Sequence, residues 1–457
     1  MSFRSLNSCT NISVMLDSQT CSLVDLLKES NIQTALKKRI PNLAEYLADN
    51  AGQLVDIALG TEKTNTNIQF MCFSIIVTQV KSLTSLLLSS DSFLQHLNDF
   101  ISNNKDIDEN GATGFARIFK FIINQTNGEI LNRWPERTEL FQKIINHMGH
   151  IAIHYLLDDI TSDARKTVVT FLEDCNATTV LLSNVSNDFR KTKKLYLYLT
   201  NLISVIEIDS PLLSLFENTD KMNEIFDLAL STNNAQLSSQ IFIFLDRLAE
   251  QIDYDTDEES SNQELENQDP LVDSVIQLGK NRINQICEFL NNDSPFLGNK
   301  ENAMRLLRTL LLHSDSISEN VFEYGEKLFN LLFENPAHSI LHASFLSFFD
   351  TLSTDPEKCL KFIKSSNIKN RIIEAFEKRD QTNASYWGIL FDLCIKIEEL
   401  SPSKDEDDWQ KFKESVIDKT QSIINNGYGG KLPAESDASD FEDLVFPLGR
   451  SQMQGSE

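Results

Sequence analysis

A chain of 457 residues with 41% hydrophobic content can bury a large core, and length alone allows two or three domains. Its 67 acidic against 41 basic residues give a net charge of −26 and a pI near 4.7. Nucleic acid and anionic membrane faces are thereby disfavoured as main partners, because phosphates are repelled, and a partner with a basic patch is favoured. No apolar window approaches the ~18–20 residues of a membrane span, and the N-terminus lacks a signal-like run. The seven cysteines are widely spaced and odd in number, without C-x-x-C, which predicts buried, reduced thiols and a cytoplasmic or nuclear setting.

Along the chain, apolar residues recur three and four apart in short blocks: "LVDLLKES" from 23, "LAEYLADNAGQLVDIAL" from 43, "DSFLQHLNDFIS" from 91, "ARIFKFIINQ" from 116 and "QIFIFLDRLAEQI" from 240. Polar breaks rich in Asn, Ser and Asp separate them, as in "SDSFLQHL" and "NPAHSILHASFLSFFDTL", and such side chains cap helix N-termini. Gly (15) and Pro (10) are scarce, and strand-type alternation is almost absent. The pattern predicts about twenty amphipathic helices joined by short turns. A single bundle core seldom grows beyond ~250–300 residues, whereas stacked helix pairs have no such limit. The fold expected is therefore all-α, an armadillo/HEAT-like helical-repeat solenoid with irregular repeats.

Two places break the pattern. Residues 253–269, "DYDTDEESSNQELENQD", carry eight carboxylates and no Lys or Arg, so they read as a disordered acidic insert. It would separate a helical lobe at 1–252 from a second at 270–427. From 428 to 457 a Gly/Pro-containing acidic stretch reads as a flexible tail, with an acid-flanked apolar patch, "FEDLVFPL". Thr256, Ser436 and Ser439 precede acids and are candidate sites of acid-directed phosphorylation.

For catalysis the sequence offers no P-loop, G-x-G-x-x-G, G-x-S-x-G or H-E-x-x-H. The one arrangement with metal-ligand chemistry is a histidine trio in "FQKIINHMGHIAIHYLLDDI", at His147, His150 and His154. His150 and His154 have the i, i+4 spacing of two zinc ligands on one helix. Gly149 splits the trio, because "NHMGH" reads better as one helix ending and another beginning. No metal or cofactor is expected, and no catalytic residue is assigned.

That same corner resembles the SAPS-domain family, the regulatory subunits of protein phosphatase 6. Members carry an aliphatic run followed by His-Ile-Gly-Thr-x-Ala-Ile-Met-Asp-Leu-Leu, matched here at His147, Gly149, Ala152, Ile153, Leu156 and Leu157. "SLVDLLKESNIQTALKKRIPNLAEYL" (22–47) resembles the family's opening segment, with Asp25 in place of its Glu and Tyr46 in place of its Phe. "ATGFARIFKFIIN" (112–124) keeps Ala112, Phe115, Arg117 and Asn124. Leu341 and His342 match a later Asn-x-Leu-His corner, and Trp409 and Phe412 a Trp-x-x-Phe helix. Departures from the family pattern at Gln79, Tyr155 and Asp159 mark a divergent member.

The resemblance implies a non-catalytic subunit that binds the catalytic subunit of a phosphatase 6-like, type 2A Ser/Thr protein phosphatase and directs its substrate choice, with room for a further scaffold subunit. Asp25, Phe115, Arg117, His147 and Gly149 are the phosphatase-binding candidates it supplies. Two other classes stay open: a helical-repeat transport adaptor that binds basic partners, and a metal-dependent enzyme using the histidines.

Overall fold

The computed structural model describes residues 4–425, apart from short segments at 19–20, 103–106, 260–270, 272, 293, 297, 315–316, 382 and 401–406. Every regular element among the described residues is helical, so the expected all-α class holds. The polar breaks act as anticipated. Asn65, Asp108, Asp188 and Asn218 each accept a backbone N–H of the following first turn, at 2.9, 2.6, 2.9 and 3.0 Å. These side chains satisfy donors that a helix start leaves without intrahelical partners.

The chain divides into two compact units, residues 1–324 and 325–457. In the first, Ala51–Leu59 packs on Glu109–Gln125, which packs on Ile151–Thr161. Phe189–Ile203, Ala235–Glu259 and Gly298–Leu312 then follow in turn. A second layer runs beside it through Asp91–Ser102, Arg137–Asn146, Ala177–Ser183 and Pro211–Glu217. Each helix thus buries its apolar stripe against its neighbours in a two-layered stack, which is the economy of an armadillo/HEAT-like solenoid.

The repeat is visible in the polar contacts. Side-chain hydrogen bonds between successive helices join residues 39 apart (Lys120–Asp159), 41 (His150–Glu109), 43 (Asn201–Asp158), 44 (His154–Tyr198) and 40 (Gln240–Thr200). Those spacings match the ~40–47-residue period of helical repeats. Past the acidic segment the corresponding spacing is 63, for Asn302–Ser239 and Thr309–Asp246. It is lengthened by about the length of 253–269.

That observation corrects the expected domain limits. The acidic segment interrupts the first unit instead of dividing two lobes, because Ala235–Glu259 and Gly298–Leu312 pack together across it. Helix also continues to Glu259, through the first part of the stretch expected to be disordered, while 260–270 lie outside the described residues. The tail expected at 428–457, with its apolar patch, lies outside them as well.

In the second unit, Ser339–Ser353 packs on Pro356–Ser365 and on Trp387–Leu400. The same spacing returns there, at 46 residues for Lys396–Asp350 and 43 for Ser385–His342. An aromatic cluster fills its core: the Arg371 guanidinium lies 4.6 Å from the Phe329 ring centre and 5.3 Å from that of Phe333. Five of the six described cysteines are buried and all six are free thiols. Burial, with Glu62 nearby, pushes the Cys72 thiol up to about 12, which makes it unreactive. No single described helix is long and apolar enough to cross a membrane.

Candidate functional site

The five residues singled out by sequence do not converge on one site. Asp25 sits in the first turn of Leu23–Leu27, where Ser22 is the N-cap and donates its hydroxyl to the Asp25 carboxylate at 2.7 Å. The Asp25 N–H returns a bond to Ser22 Oγ at 3.1 Å, and Lys28 Nζ donates to the carboxylate at 2.7 Å. This is a reciprocal helix-start device. Lys28 first, and Ser22 second, hold the Asp25 carboxyl below the usual carboxylate range. Its local role is complete without a partner.

Phe115 and Arg117 lie on one helix, Glu109–Gln125, two residues and therefore about 200° apart, on opposite faces. Phe115 is fully buried, with ring centres 5.9 Å from Phe100 and 5.6 Å from Phe119. A folded chain does not offer it to another protein, so the expectation of direct contact is corrected. Arg117 faces solvent with Thr113, Lys120 and Asn124 nearby in the helical pattern, and is exposed.

The histidine corner is a helix–turn–helix. Arg137–Asn146 ends with His147 as its C-cap, and Ile151–Thr161 begins with His150 as its N-cap. The imidazoles go to three different partners. His147 Nε2 meets the Ile101 carbonyl at 3.1 Å and thus donates to it, His150 Nδ1 meets Glu109 Oε2 at 2.9 Å, and His154 Nδ1 meets the Tyr198 hydroxyl. Each bond ties this corner to a neighbouring helix of the stack. Among the described residues no group of three His, Cys, Asp or Glu side chains is placed to hold a metal ion.

Gly149 is not the conformational necessity its place in the corner suggests. Its φ is not positive, and a Cβ built on it meets nothing within 4 Å. Gly149→Ala is accordingly expected to change stability by less than ~0.5 kcal/mol, as surface changes do. Urea unfolding of the two proteins checks this.

Burial lowers the pKa of His147, an effect the Ile101 carbonyl partly opposes; burial, then Lys194, lowers that of His154. Because the folded-state values lie below the ordinary 6.5, the unfolded chain binds these protons more readily. Their contribution to stability is complete above 6.5 and is lost as pH falls through the folded values. The melting temperature is expected to drop between pH 7 and pH 5, and His147→Asn, whose amide can still donate to Ile101, is expected to shrink that drop.

The later corner is structural in the same way. His342 Nε2 donates to the Asn335 carbonyl at 2.8 Å while Ser385 Oγ lies 3.3 Å from its Nδ1. Trp409 is buried and donates its indole N–H to Glu398, with its ring centre 5.4 Å from Phe412. Of the candidate phosphorylation sites, Thr256 lies on the Ala235–Glu259 backbone, whereas Ser436 and Ser439 lie outside the described residues.

No protein-family model matches the chain, and no curated protein matches it. Among solved structures, a crystal structure of an engineered protein from a structural genomics consortium aligns with 92% of this chain and 99% of its own. The identity is 13% and the TM-score 0.45. At that level the likeness carries no argument.

What the residue pattern missed is an exposed apolar and cationic strip beside Arg117. Phe70, on Thr66–Ile76, is 67% exposed, and Ile151 and Tyr155, one turn apart on Ile151–Thr161, are each 62% exposed. With Gln69, Phe73, Asn110, Thr113 and Arg117, Phe70 borders a groove of about 240 Å³. The Lys120–Asp159 ion pair links the outward face of Glu109–Gln125 to that of Ile151–Thr161. Exposed apolar or cationic side chains thus stand on three helices of the stack.

Proposed function

We propose that this chain is a non-catalytic regulatory subunit that binds the catalytic subunit of a phosphatase 6-type Ser/Thr protein phosphatase and directs its substrate choice. One observation carries the reading. The segments that resemble the SAPS-domain family, 22–47, 112–124 and 141–160, lie in family order along one helical stack, with the histidine corner at a helix–helix junction. His147 and Gly149, the matched positions of that corner, fall between its two helices. A stacked helical surface suits recognition of a folded protein. The two-metal hydrolysis of phosphoesters belongs in this reading to the partner.

The test is to purify the full chain with a type 2A-like catalytic subunit from the same cell and measure the stoichiometry of the complex. A near one-to-one complex with the catalytic subunit supports the reading. No complex at micromolar concentrations of both proteins overturns it.

A further inference from the structure

The groove beside Arg117 differs in chemistry from the rest of the molecule. The chain holds 67 Asp and Glu, yet none of the residues lining this groove is acidic, and one, Arg117, is basic. Among the described residues Arg117 makes no salt bridge within 4.0 Å, unlike Lys120 one turn further on, which pairs with Asp159 at 2.5 Å. The floor is formed by the packing of Ala58 and Gly114, where a Cβ on the glycine would come 3.0 Å from the Leu59 side chain. Phe70 and Phe73 form the other wall.

Thr66–Ile76, "TNIQFMCFSII", buries Ile68, Cys72, Ile75 and Ile76 and turns Phe70 outward on the side that also carries Thr66, Asn67 and Ser74. Aromatic side chains and arginine are enriched at protein interfaces relative to the rest of a protein surface.

We propose that this groove docks a short segment of a partner protein that carries a carboxylate next to an aromatic or large aliphatic side chain. The apolar side chain lies against Phe70 and Phe73, and the carboxylate takes the guanidinium of Arg117 in a charge-assisted hydrogen bond. The net charge of −26 does not forbid an acidic ligand. Exposed charges are screened over about 8 Å at physiological ionic strength, and Arg117 is the one charged side chain among the lining residues. The inference is independent of the phosphatase reading, because it concerns the chemistry of the docked segment and not the identity of the protein that carries it.

The experiment titrates the full chain into fluorescein-labelled peptides in which Asp and Phe are separated by zero, one or two residues, and follows anisotropy. A matched set carries Lys in place of Asp. Saturable binding of at least one Asp peptide, weakened tenfold or more by Arg117→Glu and by Phe70→Ala, is expected; tenfold in Kd corresponds to ~1.4 kcal/mol. Both residues are exposed, so unchanged melting of each variant separates lost binding from lost folding. No saturable binding of any Asp peptide, equal binding of the Lys set, or indifference to Arg117→Glu overturns the proposal.

Discussion

Replacing Phe115 by alanine is expected to destabilise the first unit by about 3–5 kcal/mol, the range for truncating a buried aromatic ring. Phe115 is 0% exposed and stands in the middle of a run of rings: Phe100, Phe115, Phe119 and Trp134, with successive centres 5.9, 5.6 and 5.0 Å apart. Those rings join Asp91–Ser102, Glu109–Gln125 and the segment before Arg137–Asn146, three neighbouring elements of the stack. Alanine there leaves a void that close-packed surroundings fill only in part. Phe70→Ala, which removes a ring of the same size from the surface, is expected to cost less than about 0.5 kcal/mol. Urea unfolding of the two variants side by side makes the comparison. A small effect for Phe115→Ala would mean that this ring is not core. If Phe115→Ala also weakens capture of a partner, Phe115→Leu, which keeps most of the volume, is expected to restore it.

This pair shows where the sequence was legible and where it was not. The opposition of Phe115 and Arg117 follows from the helical period alone, since residues two apart cannot share a face. A family resemblance scored them together because it matches positions and not directions. The helices, their polar N-caps and the helix break at His147–His150 were all readable, because each is decided by residues within one turn. "NPAHSILH" misled on detail: the N-cap of Ser339–Ser353 is His338, whose Nδ1 accepts the Leu341 N–H at 3.2 Å, while the Asn335 carbonyl accepts from His342. The repeat length was hidden for a different reason. It resides in pairings about 40 residues apart, such as Lys120 with Asp159, and those leave no mark on local periodicity. The nearness of Phe70 to Arg117 is of that kind too. Net charge averages over a surface that the fold sorts locally, so a groove lined by one arginine and no carboxylate leaves no trace in it.

Gly128→Ala is expected to be the most costly of the single-methyl additions, at about 2–4 kcal/mol when left-handed backbone strain and overpacking are combined. Gly128 has φ +85° and opens the short helix Glu129–Arg133, with its N–H bonded to the Ile123 carbonyl at 2.8 Å. A Cβ there would lie 2.2 Å from Thr167 Oγ1 and 3.0 Å from Thr167 Cβ. Thr167 cannot swing away without loss, because its hydroxyl donates to the Asn127 carbonyl at 2.7 Å. The two contributions are separable. In a Thr167→Ala background the contact with Oγ1 is gone, so Gly128→Ala is expected to cost less there, the remainder being the price of φ +85° and the residual contact with the Thr167-position Cβ. A coupling of about 0.5–3 kcal/mol in the double-mutant cycle, within the range for touching residues, is the expected result, and additivity would remove the steric argument. Nothing in the residue order distinguishes this glycine from Gly149, where the same methyl group meets open space. Gly149 stands in the segment that a family resemblance marks out, and Gly128 does not. The glycine on which the fold depends is the one whose neighbour, Thr167, arrives from the next repeat.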